Sequence, residues 1–147
     1  MSKPEFVYVT YIATTPEKLW NALLDPKETE KYWQHENVSD WKPGSQWEHR
    51  AFDAARTLRL KGRVVESVPP RRLVLTWAYP DDASPEEKRS RVTFELEPAA
   101  GVVKLTVTHE NFQPDSDMLD RIREGWPKVL SSLKSLLESG RPLPKLW

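Results

Sequence analysis

Apolar residues recur at Met118, Ile122, Trp126, Val129, Leu130, Leu133, Leu136 and Leu137, the spacing of one helical face. This predicts a helix over 117–139, about six turns and roughly 35 Å long. Asp115, Ser116 and Asp117 are N-cap candidates before it, and Gly140 followed by Pro142 stops it. Such a helix needs a broad apolar surface to lie on. The preceding chain supplies one in a different period. Residues 6–12 (FVYVTYI) read as a strand with apolar side chains on both faces, and so as one covered on both. Thr15 at an N-cap and Pro16 at the first helical position open a short helix carrying Leu19, Trp20, Leu23 and Leu24 on one face. Asp25-Pro26 breaks it, and a second short helix follows over 27–33 with a solvated Lys-Glu-Thr-Glu-Lys surface.

From Val38 the period changes to two. Strands are predicted over 45–52 (Trp47, His49 and Ala51 on one side), 58–66 (Leu58, Leu60, Gly62, Val64), 73–79 (Leu73, Leu75, Trp77, Tyr79), 91–97 (Val92, Phe94, Leu96) and 102–110 (Val103, Leu105, Val107, His109). Residues 34–37 fall in a loop, with His35 exposed there beside Glu36. Turn chemistry punctuates the strands at 41–44, 68–71 and 98–101, and 80–87 is a polar loop. The order β-α-α-β-β-β-β-β-α predicts an α+β fold, a curved six-stranded antiparallel sheet wrapped round the long helix, its first strand paired with its last.

Composition narrows the function classes. The 147 residues suit a single domain over 1–147. Lys and Arg total 22 against 22 Asp and Glu, so no bulk field points to nucleic acid or an anionic membrane. The absence of Cys removes disulfides, thiolate ligands and Cys nucleophiles, and it fits a reducing, cytoplasmic compartment. No signal-like h-region or transmembrane-length apolar run occurs, so membrane insertion is not expected. Seven Trp is a heavy aromatic load that must either fill a core or line a pocket.

Four stretches carry a family resemblance: PEKLWNALLDPKETEKYW, GSQWEH, GRVVESVPPRRLVLTW and EGWPKVLSSLKSLLESGRP. Together they resemble the bacterial proteins related to the C-terminal domain of the activator of the Hsp90 ATPase, within the helix-grip superfamily of START domains, the birch-pollen allergen Bet v 1 and polyketide cyclases. The likeness runs from Phe6 to Pro142, and its more specific elements are GxVxExxPPxRL and the Gly-Trp of the last helix. It implies a helix-grip fold with a deep apolar cavity between sheet and long helix, and a ligand-binding role. It does not imply which ligand, since one fold serves binders, enzymes and co-chaperones.

The strand alternation sends Trp47, His49, Trp77, Tyr79, Phe94 and His109 toward the long helix, and Met118, Ile122 and Trp126 look back at them. These nine suit either a packed core or an aromatic-walled pocket with polar handles. The two inward imidazoles favour the pocket, because each ring needs partners for both nitrogens and a hydrated cavity supplies them. No third ligand accompanies them at metal-site spacing, no nucleophile elbow is present, and no acid is placed to orient either His; catalytic residues, metal and cofactor are all read as none. Pro127, two residues after Gly125, interrupts the long helix and fits two readings: a static bend, or a boundary between a packed C-terminal half and a looser N-terminal half that gates the cavity. Arg121, Arg123 and Lys128 read as a basic solvent face of that helix, Arg56, Arg59, Lys61 and Arg63 as the wet side of a strand, and the apolar end at Trp147 as packing on the domain or on a second subunit. The function expected is non-catalytic binding of a small hydrophobic or aromatic ligand, lipid-like or polyketide-like. The alternatives are a chaperone-linked stress-response module and, third, a cyclase- or hydrolase-like enzyme using the cavity. A monomer or weak homodimer fits either binding reading.

Overall fold

The computed structural model describes residues 4–146; residues 1–3 and Trp147 lie outside the described residues. Strand β1 (Phe6–Ile12) is followed by helices α1 (Pro16–Leu24) and α2 (Pro26–Trp33). Strands β2 (His35–Val38), β3 (Gln46–Ala51), β4 (Leu58–Val68), β5 (Arg72–Trp77), β6 (Ser90–Ala99) and β7 (Val102–Glu110) follow, and helix α3 (Met118–Ser139) ends the fold. All seven strands form one antiparallel sheet in the order β1-β7-β6-β5-β4-β3-β2, curled round α3 as a helix-grip half-barrel. The first strand pairs with the last in unbroken register, from Phe6 opposite His109 to Ile12 opposite Val103.

Local chemistry explains the helix ends. Thr15 Oγ1 accepts from the Lys18 amide at 3.2 Å and caps α1. Asp25 serves two helices, its N–H closing α1 on the Asn21 carbonyl and its Oδ1 accepting from the Lys27 amide at 2.9 Å to open α2. The pair is then pinned by Tyr32, whose buried hydroxyl donates to the Ala22 carbonyl at 2.9 Å. At α3 the cap is displaced by one residue. Ser116 Oγ takes the Met118 amide at 3.0 Å, while the carboxylate of Asp117 turns sideways to Tyr79 and Arg121. Gly140, at φ 79°, closes the other end in the left-handed conformation that glycine adopts without strain. The helix runs unbroken through Pro127 and buries Met118, Ile122, Trp126, Val129, Leu130 and Leu133.

Two expectations are corrected. The sheet has seven strands, because 35–38 is not a loop: it pairs with β3 from His35 opposite Ala51 to Val38 opposite Glu48. Its pattern is inverted, with Glu36 and Asn37 buried and Val38 exposed, so apolar alternation could not reveal it. The buried polar atoms are partnered instead. Asn37 Nδ2 donates to the Leu23 carbonyl at 3.3 Å, and the Glu36 carboxylate pairs with Arg56. The second correction concerns β1, which is covered on one face only; Val7, Val9 and Tyr11 are about half exposed on the other.

The inner face of the sheet and α3 enclose the core, which includes Ile12, Leu19, Val64, Leu73, Val92, Leu105 and Leu133. Irregularities in β4 shape one end of it. Register shifts occur between His49 and Arg50 and between Val64 and Glu66, and bulges of this kind bend a sheet. Between them, Gly62 lets the Trp47 indole lie against the backbone of Thr76 and donate to its carbonyl at 2.8 Å.

Candidate functional site

At the end of the grip nearest the start of α3, helix and sheet do not meet. They leave a cavity of about 710 Å³, floored by Trp33, His49, Trp77 and Trp126 and opening past Arg59, Tyr79, Asp117 and Arg121. The floor is a set of touching rings. Trp33 and Trp77 are stacked at 6.3 Å and 16°, Trp77 and Trp126 lie 5.3 Å apart, and Trp33 sits 4.5 Å from His49. Behind Trp77 stands Trp47, 4.8 Å away. Rings this close brace one another, so the floor is preformed.

Of the nine residues read from the alternation, six line the cavity: His49, Trp77, Tyr79, Met118, Ile122 and Trp126. The other three form the layer beneath. Trp47 is spent on Thr76, Phe94 meets Trp126 edge-on at 5.8 Å, and His109 is wholly buried. Sequence reasoning missed Trp33, which ends a helix whose other residues looked solvated, and His35, which belongs to the inverted strand. Leu58 and Leu60 were on the correct side of β4 but were not assigned to the cavity. Arg59 and Arg121, read as solvent-facing, stand at its mouth.

The three histidines have different surroundings. His109 Nδ1 accepts from Trp126 Nε1 at 3.1 Å, and its Nε2 lies 3.0 Å from Ser90 Oγ. Ser90 donates to the Trp77 carbonyl at 2.5 Å, so the serine proton is already committed and Nε2 must be the protonated nitrogen. The pair looks like a nucleophile and its base but runs the wrong way: the imidazole gives its proton to the hydroxyl and has no lone pair left to take one. Burial pushes the His109 pKa down to about 3, keeping the ring neutral.

His49 and His35 face each other across the inner wall, stacked at 4.7 Å and 11°. His49 Nδ1 is 2.6 Å from Asn37 Oδ1, and His35 Nδ1 is 2.9 Å from the Trp33 carbonyl. Both contacts are to acceptors, so each ring in its neutral form carries its proton on Nδ1. Burial, with smaller contributions from His35 and Arg59, lowers the His49 pKa well below the ordinary value. His35 is lowered too, mainly by burial, against the opposing pull of the Trp33 carbonyl.

A latch crosses the mouth. Tyr79 donates to Asp117 Oδ1 at 3.0 Å, Arg121 Nε donates to Asp117 Oδ2 at 2.8 Å, and the Arg121 guanidinium lies 5.9 Å from the Tyr79 ring centre. Partial burial and the neighbouring carboxylate raise the Tyr79 pKa to about 12, so its hydroxyl stays protonated and donating. The Tyr79 hydrogen bond in turn holds the Asp117 carboxyl below its usual range. The latch ties the start of α3 to the segment just after β5.

Solved structures of other proteins share this fold. The chain is similar to the Aha1 dimer of Colwellia psychrerythraea (TM-score 0.76, 22% identity, 93% of this chain and 98% of that one). It is also similar to a Mesorhizobium loti protein (0.75, 27%, 91% and 96%) and to an Hsp90 activator from Plasmodium falciparum (0.73, 23%, 90% and 95%). No curated protein matches the sequence. The model of the activator of Hsp90 ATPase homolog 1-like proteins matches residues 13–138, most of the chain, and the chain belongs to that family.

Proposed function

We propose that this protein binds a small hydrophobic or aromatic molecule in the cavity between the sheet and the first half of α3, without catalysing its conversion. The observation that carries this reading is the preformed floor of Trp33, Trp77, Trp126 and His49 beneath a space of about 710 Å³, within the size range of small-molecule sites. The polar groups best suited to proton exchange are already in use: His109 and Ser90, beneath the floor, are bonded to each other, and Asp117 at the mouth is held by Tyr79 and Arg121. Such an arrangement supports orienting a ligand more than exchanging protons with it. Native mass spectrometry of the protein isolated from its own cells tests the reading, with a co-purifying small molecule as the expected result. An empty protein that also failed to bind a panel of fatty acids and planar aromatics would overturn it.

The family membership and the similarity to the Plasmodium falciparum activator support a second reading, an Hsp90-linked interaction module in the cytoplasm. Its test is direct: addition of the protein to its cognate Hsp90 should raise the ATPase rate, and an unchanged rate over a concentration series would exclude stimulation. The Colwellia psychrerythraea relative is a dimer, and a homodimer of this chain is read most simply by light scattering.

A further inference from the structure

The tautomers of the inner wall say what kind of group a ligand must present. The side-chain amide of Asn37 is oriented by its Nδ2 bond to the Leu23 carbonyl, so the atom 2.6 Å from His49 Nδ1 is Oδ1, an acceptor. His49 therefore donates through Nδ1 and keeps a lone pair on Nε2. Among the described residues no donor reaches that nitrogen, although His49 is almost wholly buried, and it is not one of the sealed polar atoms of the interior. It lies in a ring that lines the cavity, beside the stacked faces of Trp33 and Trp77. An acceptor in such a wall is satisfied by water when the cavity is wet. It is orphaned when an apolar ligand displaces that water.

The donor that replaces the water could be neutral or cationic, and the surroundings choose. Arg59, which has no ion-pair partner among the described residues, lines the cavity and acts electrostatically on both stacked rings, His49 and His35; on His35 it and Lys145 each outweigh the one opposing carboxylate, Asp53. Of the two carboxylates that line the cavity, Asp117 is already held by Tyr79 and Arg121, so the field at the imidazoles is positive and disfavours an ammonium group there. A metal ion would find two imidazoles in the same positive field, and no group of three His, Cys, Asp or Glu side chains suited to a metal is present among the described residues. A hydroxyl remains. Resting on the small-molecule reading above, we propose that the cavity selects a flat aromatic bearing a neutral hydroxyl, a phenol, whose O–H donates to Nε2 of His49 while its ring packs on Trp33 and Trp77.

A matched series of naphthalenes tests this by isothermal titration calorimetry at pH 7 on the unmodified protein. 2-Naphthol should bind about tenfold or more tighter than 2-methoxynaphthalene, which has the same ring and an oxygen but no proton to give; a site that pairs a hydroxyl rejects the analogue lacking the donor. 2-Naphthylmethylammonium should also bind more weakly than 2-naphthol. In the His49→Phe variant the preference for the hydroxyl should disappear while naphthalene itself still binds. Equal affinity for naphthol and its methyl ether, or tighter binding of the ammonium compound, would overturn the phenol assignment and leave the cavity reading standing. Failure of every naphthalene would overturn it too, whereas the cavity reading falls only if the wider panel of fatty acids and aromatics also fails.

Discussion

Gly62→Ala is the sharpest single perturbation this fold offers. A methyl group at residue 62 would fall far inside van der Waals distance of the Thr76 carbonyl oxygen and 2.5 Å from Trp47 Nε1. The first of these is backbone in the neighbouring strand and has no rotamer to yield. The second is the donor of a buried hydrogen bond, so any relief by moving the indole breaks the bond to Thr76. Overpacking of this kind costs about 1–3 kcal/mol. Leaving a buried indole N–H or carbonyl unpaired costs a further 1–3 kcal/mol or so. The lower backbone entropy of Ala returns roughly 0.5–1 kcal/mol. The net loss should be about 3 kcal/mol, a large share of the roughly 5–15 kcal/mol that holds such a domain together. At about 2–4 °C per kcal/mol for this size, Tm should fall by roughly 10 °C. The assay is thermal and urea unfolding followed by near-ultraviolet circular dichroism, which reports the Trp47–Trp77 contact at 4.8 Å. Because Trp47 backs the cavity floor, the variant should also lose affinity for aromatic ligands well below its Tm. A Tm within about 2 °C of the parent, with the aromatic signal intact, would mean that residue 62 has room for a methyl group and that the Trp47–Thr76 bond does not depend on glycine there.

Gly125→Ala should act in the opposite direction: open space surrounds the added methyl, so α3 gains about 0.5–1 kcal/mol in a urea melt, while the cavity it lines becomes narrower and weakens bulky aromatic ligands. Ala100→Asn should stabilise the β6–β7 hairpin by roughly 0.5–1 kcal/mol, because Ala100 sits at φ 51° before Gly101 at φ 86°, the left-handed pair that Asn-Gly adopts readily. Lowering the pH should destabilise the protein before carboxylates titrate. His109 has a folded pKa of about 3 against about 6.5 unfolded, so the unfolded chain takes up the proton first, and stability present above pH 6.5 is lost as pH falls toward 3. The slope approaches about 1.4 kcal/mol per pH unit below pH 6.5 for His109 alone, and His49 adds to it in the same sense. Urea midpoints at pH 7.5, 6 and 5 check this, and a flat profile would contradict it.

Much of the fold was legible because the inner faces follow simple periods. β1 and β7 were read to the residue, and α3 to within one. The seventh strand was not, because its buried positions are Glu36 and Asn37, and nothing local shows that Arg56 and Leu23 await them. The exposed stripe of Val7, Val9 and Tyr11 misled in the opposite direction, since β1 is an edge strand with one open face. For the site, alternation identified which side chains point inward but not how deep each one stops. Trp47, Phe94 and His109 share that face with Trp77, yet Gly62 draws Trp47 onto Thr76, and Trp126 covers His109. Trp33 needed knowledge of where α2 lands. The partners that fix the histidine tautomers, Asn37 and Ser90, lie 12 and 19 residues from their rings, beyond any local pattern.

If the cavity floor is a ligand surface, the indole N–H signals of the protein will report a ligand there. In a ¹H–¹⁵N spectrum titrated to saturation with 2-naphthol, the indoles of Trp33, Trp77 and Trp126 should shift together, since their rings form the floor. The Trp47 indole, locked to Thr76 behind it, should shift little, as should those of Trp20 and Trp41, which do not line the cavity. Saturable shifts confined to Trp20 or Trp41, or a spectrum unchanged by 2-naphthol and by every other aromatic and fatty acid of the panel, would mean that the floor is not a ligand surface.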